Sequence, residues 1–383
     1  MSDQQQTSGA TRVGVIGAGQ LARMMGEVAS EVSVELTVLA SSRDDAAVAT
    51  SDHVVLGAPT DRAALWSLAR TVDVVTFDHE LVDLDQVREL EARGVVVRPS
   101  AAALRFATDK AFQRVALERA GIAVPDFLVV TSASDPRLRS FLRALPTPPV
   151  VKVARGGYDG RGVWFPESYD EAVALIDRLD TEVVVEERLA LRGEVAQLVT
   201  RAVDGSLAPY PLVTTVQHDG MCTEVRYPAE VPTELHVAAA QLAQRLAALI
   251  DGVGVLAIEL FVTSSGLVVN EVALRPHNTG HWTIEGAVTS QFRNHLRAVS
   301  GQSLGDVSPA TACAVMVNIV GDDVPSSASA ARHVLGAHVH DYGKSWRPGR
   351  KLGHVTAVGD DPHAVHVTAW RGARAYGTRT RET

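Results

Sequence analysis

Two carboxylates and an amide stand on neighbouring predicted strands, in a pattern that suits a divalent cation. Glu259 lies within the apolar run 257–262, and Asn270 and Glu271 end the next apolar run. A carboxylate in such surroundings is costly unless it is paired or bound to a metal. Oxygen ligands on adjacent strands favour Mg²⁺, which can bridge the oxygens of a triphosphate. The alternative is a solvated strand face.

A lysine followed by a glycine-rich loop is the second candidate for chemistry. Lys152 lies on a predicted strand, and Gly156, Gly157, Gly160 and Gly162 follow it. Glycines let the backbone approach a phosphate closely, and arrays of N–H groups form an anion site. The loop lacks the Gly-Lys-Ser/Thr ending of a Walker loop. The pattern favours a phosphate-binding loop over a mobile surface hairpin.

Another glycine loop, Gly17-Ala18-Gly19-Gln20-Leu21-Ala22, follows the first predicted strand. Its spacing fits the fingerprint in which backbone N–H groups meet a dinucleotide phosphate at a helix start. A dehydrogenase of that class needs an acidic residue at the end of the next strand. That strand ends near Ser41 with no carboxylate before Asp44, so NAD binding is disfavoured. A tight strand–helix turn, with at most a substrate phosphate nearby, is the favoured interpretation.

The segment after the second carboxylate strand is rich in polar side chains. Arg275 could hold a transferring phosphoryl group through two hydrogen bonds. His277 and His281 have a spacing that zinc ligands can use. Glycine and proline around them break a helix, and no cysteine or further carboxylate completes a zinc site, so zinc is disfavoured.

The chain has a formal net charge of −9 and only four lysines among its 36 basic residues. The acidic balance argues against a general nucleic-acid binder, so an anionic ligand must meet locally placed cations. Because this chain uses arginine at nearly all its basic positions, a position that keeps lysine is expected to need a compact positive charge, the form in which lysine binds phosphate. The alternative is that these lysines occur by chance. The four are Lys110, Lys152, Lys344 and Lys351, and the last lies beside Arg350.

Composition also predicts where the protein works. No apolar run approaches the length of a membrane span, and the polar first ten residues resemble no secretory signal. Cys222 and Cys313 match no metal spacing and suit two structural thiols in a reducing compartment. We therefore expect a cytoplasmic protein.

Strands alternate with helices in the first third of the chain, which predicts parallel βαβ units. A small α/β segment and then a strand-rich region follow. We predict an α/β and α+β protein made of a disordered tail (1–10), an N-terminal mononucleotide-type α/β domain (11–108), a small lid domain (109–187), and a larger antiparallel C-terminal domain (188–383) that ends in a β-rich subdomain of short strands.

Taken in order, these segments resemble the ATP-grasp superfamily. Within it they resemble the N5-carboxyaminoimidazole ribonucleotide synthetase family, the ATPase subunit of phosphoribosylaminoimidazole carboxylase. The resemblance covers essentially everything after the first ten residues, and it rests on the stretches 19–24, 155–162, 276–283 and 349–354. The second and third of these, Arg-Gly-Gly-Tyr-Asp-Gly-Arg-Gly and Pro-His-Asn-Thr-Gly-His-Trp-Thr, are highly specific.

The resemblance implies an ATP-grasp fold with a pre-ATP-grasp domain, and a ligase that forms a C–N bond in purine biosynthesis. Such an enzyme would use ATP and bicarbonate, through carboxyphosphate, to carboxylate 5-aminoimidazole ribonucleotide. It would need Mg²⁺, or Mn²⁺ in its place, and would form a homodimer. No nucleic acid or membrane partner is implied.

The resemblance also implies roles for residues at matching positions. Metal ligands would be Glu259 and Glu271, and the ribonucleotide would meet Gln20, Leu21, Glu80, Asn278, Lys344, Arg350 and Lys351. ATP would meet Lys110, Lys152, Gly157, Tyr158, Asp159, Gly160, Arg161, Gly162, Val163, Glu186, Glu187, Arg188, Leu189, Glu194, Gln217, Asn270 and Glu271. Arg275 and Lys152 would neutralise the transferring phosphoryl group, and the loop side chains Tyr158, Asp159 and Arg161 would close over the intermediate.

Three positions depart from the family pattern. Ala22 replaces a glycine, Leu274 replaces a proline before the arginine, and Gln217 stands where a nucleotide-site histidine is usual. His218 is adjacent, but it should face the other side of its strand. Two alternatives stay open: a formate-dependent glycinamide ribonucleotide transformylase or other ATP-grasp carboxylate–amine ligase, and a nucleotide-binding regulator without turnover.

Overall fold

The computed structural model describes residues 9–157, 162–218, 220–321 and 327–377. The first part is a parallel sheet whose strand order is β3-β2-β1-β4, with helices packed against it. Its elements are β1 (Thr11–Ile16), α1 (Gln20–Ala29), β2 (Val34–Ala40), β3 (His53–Leu56), α2 (Arg62–Ala69), β4 (Val74–Phe77), α3 (Leu84–Ala92) and α4 (Ala101–Thr108). These strands are almost wholly buried except for β3, as expected for a parallel sheet.

The second part is a small antiparallel sheet of order β5-β8-β6-β7. Its elements are α5 (Lys110–Arg119), β5 (Phe127–Val130), α6 (Pro136–Ala144), β6 (Val150–Val153), β7 (Val163–Trp164), α7 (Tyr169–Leu179) and β8 (Val183–Glu186). The apolar faces of α6 and α7 pack on this sheet around Leu138, Leu142 and Ile176. This core holds β6, and therefore Lys152, in place.

The third part is a large antiparallel sheet of order β14-β13-β9-β11-β12-β15-β17-β16, with β10 beside β9. Its elements are β9 (Gly193–Arg201), β10 (Leu207–Pro209), β11 (Val213–His218), β12 (Met221–Tyr227), α8 (Thr233–Ile250), β13 (Gly254–Thr263), β14 (Gly266–Ala273), α9 (Thr283–Gly286), α10 (Gln291–Val299), β15 (Cys313–Val320), α11 (Ala328–Ala331), β16 (His338–Asp341), β17 (Lys351–Gly359) and α12 (Pro362–Tyr376). The helix α8 covers one face of the sheet, over β9 and β14.

The chain end differs from the sequence expectation, which gave short strands from about residue 311 to 375. The helix α12, Pro362–Tyr376, has 15 residues and packs against β15 and β17. Asp361 caps it by accepting from two backbone N–H groups, and Pro362 stands in its first turn, a known start signal. Val365, Ala369 and Ala373 recur at helical spacing and are buried. The sequence analysis expected short strands here, and β15, β16 and β17 are present, but it did not predict this helix.

The helix α10 joins the first part to the large sheet. Phe292, Leu296 and Val299 pack among the buried residues of β1, β2 and α1, while α10 also contacts β13 and β9. This packing brings the loop after β4 close to the 275–283 segment, where the Glu80 carboxylate lies 2.7 Å from the Arg275 guanidinium. Within the described ranges, no helix is both long and apolar enough to cross a membrane.

Candidate functional site

Two lysines from different elements meet the end of strand β14. Lys110 is the first residue of α5, and its Nζ lies 2.9 Å from Glu271 Oε1. Lys152, on β6, donates from Nζ to Asn270 Oδ1 at 3.2 Å. The predicted phosphate-binding lysines thus converge on the predicted metal strand, although they stand 42 residues apart in sequence.

The two predicted metal carboxylates lie directly opposite each other. Glu259 on β13 pairs in register with Glu271 on β14, and a register shift follows immediately. Desolvation and the neighbouring charges of Glu271 and Glu194 raise the pKa of Glu259 to about 7. Desolvation works against ionisation of Glu271 too, but Lys110 holds the pKa of that carboxyl below its usual value. Two carboxylates this close favour a shared cation.

The donor set fits Mg²⁺ that is completed by a nucleotide. Glu259 and Glu271 supply carboxylate oxygens, and the side-chain oxygen of Asn270 lies beside them. Across the described part of the chain, no three or more His, Cys, Asp or Glu side chains cluster as a metal cage. Mg²⁺ is usually held by one or two carboxylates together with substrate phosphates and water, so this partial set fits the ion, and Mn²⁺ accepts the same oxygen ligands.

The predicted adenine and ribose residues lie along the edge between the small and large sheets. The Glu186 carboxylate is buried between Arg114 and Lys152, at 2.7 and 2.8 Å, so only its main chain is available to an adenine. Arg188 donates to the Pro166 carbonyl, and Glu187 and Leu189 are half-buried beside it. Desolvation raises the pKa of Glu194 on β9, and the positive charge of Lys152 lowers it in part.

Gln217 lies just after an irregularity in strand pairing. The pairing of β11 with β12 shifts between Val216 and Gln217, and the extra residue, Thr223, stands on β12. Gln217 and His218 are consecutive on β11 and pair regularly with Cys222 and Met221, so their side chains are expected on opposite faces of the strand. The nucleotide role of Gln217 stays a prediction.

The ends of the glycine-rich loop are fixed by strand pairing. Val163 pairs with Lys152, and the Gly162 carbonyl accepts from the Val153 N–H at 2.9 Å. Gly162 has φ +78°, and a Cβ there would lie 2.5 Å from a Val153 methyl group, so glycine is required. Gly157 is the last described residue before the gap. The predicted loop residues Tyr158, Asp159, Gly160 and Arg161 lie outside the described residues.

The predicted ribonucleotide residues surround a junction of the first and third parts. Lys344 Nζ hydrogen-bonds Gln20 Oε1 at the start of α1. Both polar side-chain atoms of Asn278 are buried, and neither has a hydrogen-bond partner among the described residues. An unsatisfied buried amide calls for a ligand. The Leu21 side chain packs in the core at 5% exposure, so only its main chain could contact a substrate.

The remaining predicted cations lie near the start of β17. Lys351 is its first residue, and Arg350 donates to the Ser345 carbonyl and hydroxyl oxygens at 3.0 and 2.8 Å. These groups and Lys344 belong to one segment after β16. The segment supplies positive charge to an acidic chain at the edge of the Asn278 region.

The backbone of the first glycine loop contacts a buried carboxylate that the sequence analysis did not identify. Asp78, which follows β4, is 5% exposed and accepts from the Gly19 N–H at 2.5 Å. A Cβ at Gly17 would collide with the same carboxylate. A buried carboxylate in this position repels a phosphate, which supports the interpretation of a tight turn. Only its place directly after a buried strand could have signalled Asp78.

Arg114 and Gln291 were also missed. Arg114 is a buried arginine one turn after Lys110, and its i+4 spacing from that lysine was the one available signal. Gln291 binds the N–H and the carbonyl of His277 and contacts His281 Nδ1 at 3.1 Å. His281 is fully enclosed, and burial keeps its pKa well below the usual value, so Gln291 supports the 277–281 segment.

The three-part fold, with the lysines and paired carboxylates at the junction of its two antiparallel sheets, defines an ATP-grasp ligase. Family models match as an ATP-grasp domain over residues 115–292, a ribonucleotide synthetase preATP-grasp domain over 10–108, and a phosphoribosylaminoimidazole carboxylase C-terminal domain over 314–368. The chain belongs to the N5-carboxyaminoimidazole ribonucleotide synthase family.

Relatives of that name support this membership. The protein from Mycobacterium tuberculosis is 44% identical over 91% of this chain and 84% of its own length. That from Corynebacterium ammoniagenes is 40% identical over 93% and 90%.

Solved structures agree. The Thermus thermophilus synthetase has a TM-score of 0.88 at 33% identity, covering 97% of this chain and all of its own. The Aspergillus clavatus synthase, solved with ADP and 5-aminoimidazole ribonucleotide, has a TM-score of 0.87 at 30% identity, covering 96% and 99%.

Proposed function

We propose that this protein uses ATP and bicarbonate to carboxylate 5-aminoimidazole ribonucleotide to N5-carboxyaminoimidazole ribonucleotide, releasing ADP and phosphate. The observation that carries the proposal is the convergence of Lys110 and Lys152 on Asn270 and Glu271, with Glu259 opposite. Cations for phosphates and oxygen ligands for a metal therefore lie together at the end of β14. The names of the relatives, and the ligands of the Aspergillus clavatus structure, support the choice of acceptor.

The reaction balances in two steps. An oxygen of bicarbonate attacks the γ-phosphorus of ATP, the bond to the ADP oxygen breaks, and carboxyphosphate forms. The exocyclic amine of the ribonucleotide then attacks the carboxyl carbon, phosphate leaves, and the nitrogen gives up a proton. Catalysis of phosphoryl transfer is chiefly positioning and charge neutralisation. Mg²⁺ or Mn²⁺, when bound, would supply part of that neutralisation from a site made by Glu259 and Glu271.

Side chains of this protein would do the rest at the phosphate side. Lys152 and Arg275 would offset the charge of the transferring group, and Lys110 would hold a neighbouring phosphate. Arg275 lies against Glu80 at 2.7 Å, so it would stand between the bound nucleotide and the bound acceptor. Tyr158, Asp159 and Arg161 would close the cleft; that role stays a prediction.

The acceptor would lie beside buried polar atoms that have no hydrogen-bond partner among the described residues. The Glu80 Oε1 atom is buried without a hydrogen-bond partner within the described ranges, as are the Asn278 amide atoms. A carboxylate oxygen suits an amine donor, and an amide suits ribose or ring groups. Lys344, Arg350 and Lys351 would receive the 5′-phosphate. The cytoplasmic location, the homodimer and the predicted domain boundaries stay predictions.

The test is ADP release with Mg²⁺ and bicarbonate, with and without 5-aminoimidazole ribonucleotide. We expect strong stimulation by the ribonucleotide, and its loss in Glu271→Gln. The matched control is Glu234→Gln, on the exposed face of α8, which should keep full activity. No stimulation, with ATP still bound, would overturn the acceptor, and a requirement for formate in place of bicarbonate would favour a transformylase.

A further inference from the structure

Arg114 is a buried arginine that joins three elements under the nucleotide site. It lies on α5, four residues after Lys110, and only 1% of its surface is exposed. Its Nε donates to Glu186 Oε1 on β8, its Nη1 to Gln113 Oε1, and its Nη2 to the Asn270 carbonyl on β14, each at 2.7 Å. The small and large sheets are thus linked through one guanidinium.

Two of these partners, Glu186 and Asn270, lead to residues of the candidate site. The other oxygen of Glu186 lies 2.8 Å from Lys152 Nζ, and the same Nζ donates to Asn270 Oδ1. Arg114 therefore reaches Lys152 through Glu186. It also holds the main chain of Asn270, the residue directly before Glu271.

The charges in this group are matched under strong burial. Glu186 is 2% exposed and Lys152 is 7% exposed. Burial works against the ionised form of Glu186, but Arg114 and Lys152 outweigh it and lower its pKa to about 2. Burial also lowers the pKa of Lys152, which Glu186 counteracts. A buried ion pair often contributes little net stability compared with apolar residues of the same size, so stability alone gives a weak reason for this arrangement.

We propose that Arg114 is a positioning residue for phosphoryl transfer: it touches no substrate, and it sets the place of Lys152 through Glu186 and the place of the metal strand through the Asn270 carbonyl. This rests on the proposed function. A planar guanidinium can make both bonds at once, whereas an ammonium acts as a single compact charge. Partners one step removed from a metal or phosphate site typically change affinity or activity by about 10–100-fold when they are exchanged.

The test compares Arg114→Lys with the double variant Arg114→Met/Glu186→Gln, which removes the guanidinium together with its carboxylate partner and leaves Lys152 its bond to Asn270 Oδ1. Both should keep a thermal midpoint near that of the parent. Both should lose about 10-fold or more in kcat/KM for ATP, while KM for the ribonucleotide acceptor stays within about two-fold of the parent because Arg114 contacts no acceptor residue. The matched control is Arg245→Lys, whose parent arginine donates to the Ala120 and Gly121 carbonyls; it should leave all kinetic constants unchanged.

A second readout separates this proposal from the proposed function. Affinity for a non-hydrolysable ATP analogue with Mg²⁺ requires no acceptor, and it should also fall about 10-fold in both variants. If the variants bind the analogue more weakly but the parent shows no turnover stimulated by the ribonucleotide, the proposed acceptor is wrong. The proposed role of Arg114 in positioning the ATP site would still stand. Folded variants with parental ATP constants would overturn the proposal. Failure of both variants to fold would overturn it as well, since Arg114 would then be a requirement of folding.

Discussion

At the scale of single residues, the site depends on two neighbouring carboxylates whose negative charges repel each other. Glu259 and Glu271 oppose each other in register, and their mutual repulsion helps to raise the pKa of Glu259. Exchange of Glu259 for Gln removes one anionic ligand and keeps the side-chain size. We expect the Mg²⁺ concentration for half-maximal activity to rise by about 10-fold or more, measured as ADP release across a Mg²⁺ titration.

The same variant separates metal binding from folding. Without a divalent cation, Glu259→Gln should unfold at the same temperature as the parent or higher, because a like-charge contact is removed. Glu234→Gln, at the exposed start of α8, is the control for both measurements. An unchanged Mg²⁺ requirement in Glu259→Gln would show that this carboxylate is no ligand.

Residue type and spacing singled out the lysines and carboxylates as candidates, because such groups are rare in apolar strands and in a lysine-poor chain; their role as ligands stays a prediction. Type and spacing could not reveal Arg114, since an arginine within a helix is ordinary in sequence and its partners Glu186 and Asn270 are 72 and 156 residues away. Asp78 escaped for the same reason. Its importance comes from contact with Gly19, 59 residues earlier.

At the scale of elements, the start of α5 connects a helix cap to the site. Asp109 Oδ1 accepts from the Phe112 N–H, and its Oδ2 accepts twice from Arg155, the residue that opens the glycine-rich loop. The Lys110 N–H donates to the Ala154 carbonyl at 2.8 Å. The cap therefore fixes both Lys110 and the base of the loop.

Asp109→Ala should cost stability and ATP binding together. Loss of a carboxylate cap destabilises by about 1–2 kcal/mol, and release of Arg155 and Lys110 should raise KM for ATP several-fold. Asp61→Ala is the matched control, because Asp61 caps α2 in the same way but lies in the first part, against the parallel sheet. It should lose similar stability in denaturation with an unchanged KM. Equal KM values for ATP in the two variants would show that the cap of α5 does not support the ATP site.

Elements were predicted well where strand-forming residues were followed by clear turn signals, as for β1 and β6. The helix α12 was missed although its signals were present: Asp361 and Pro362 mark its start, and its buried residues repeat at helical spacing. Its Val, Thr, Trp and Tyr residues suit strands as well, and packing on β15 and β17 decided for a helix. Local preference yields to tertiary packing in such segments.

At the scale of the whole molecule, His295 connects the first sheet to the large one. Its Nε2 lies 2.9 Å from Thr76 Oγ1 on β4, and its Nδ1 accepts from the Val255 N–H on β13 at 3.2 Å. The ring is fully buried, so it is held as a neutral imidazole, and burial lowers its pKa to about 3. No sequence pattern indicated this, since one histidine on an amphipathic helix gives no sign of its distant partners.

The buried imidazole predicts a loss of stability in acid. Its pKa is about 3 when folded and 6.5 when exposed, so between these values unfolding takes up a proton. The stability it contributes is complete above 6.5 and falls with pH by up to about 1.4 kcal/mol per pH unit. Chemical denaturation at pH 7, 6 and 5 should therefore give a shallower decline for His295→Gln, which cannot titrate, than for the parent. The exposed-site control His363→Gln should decline as steeply as the parent, and equal slopes for His295→Gln and the parent would mean that His295 takes up no proton on unfolding.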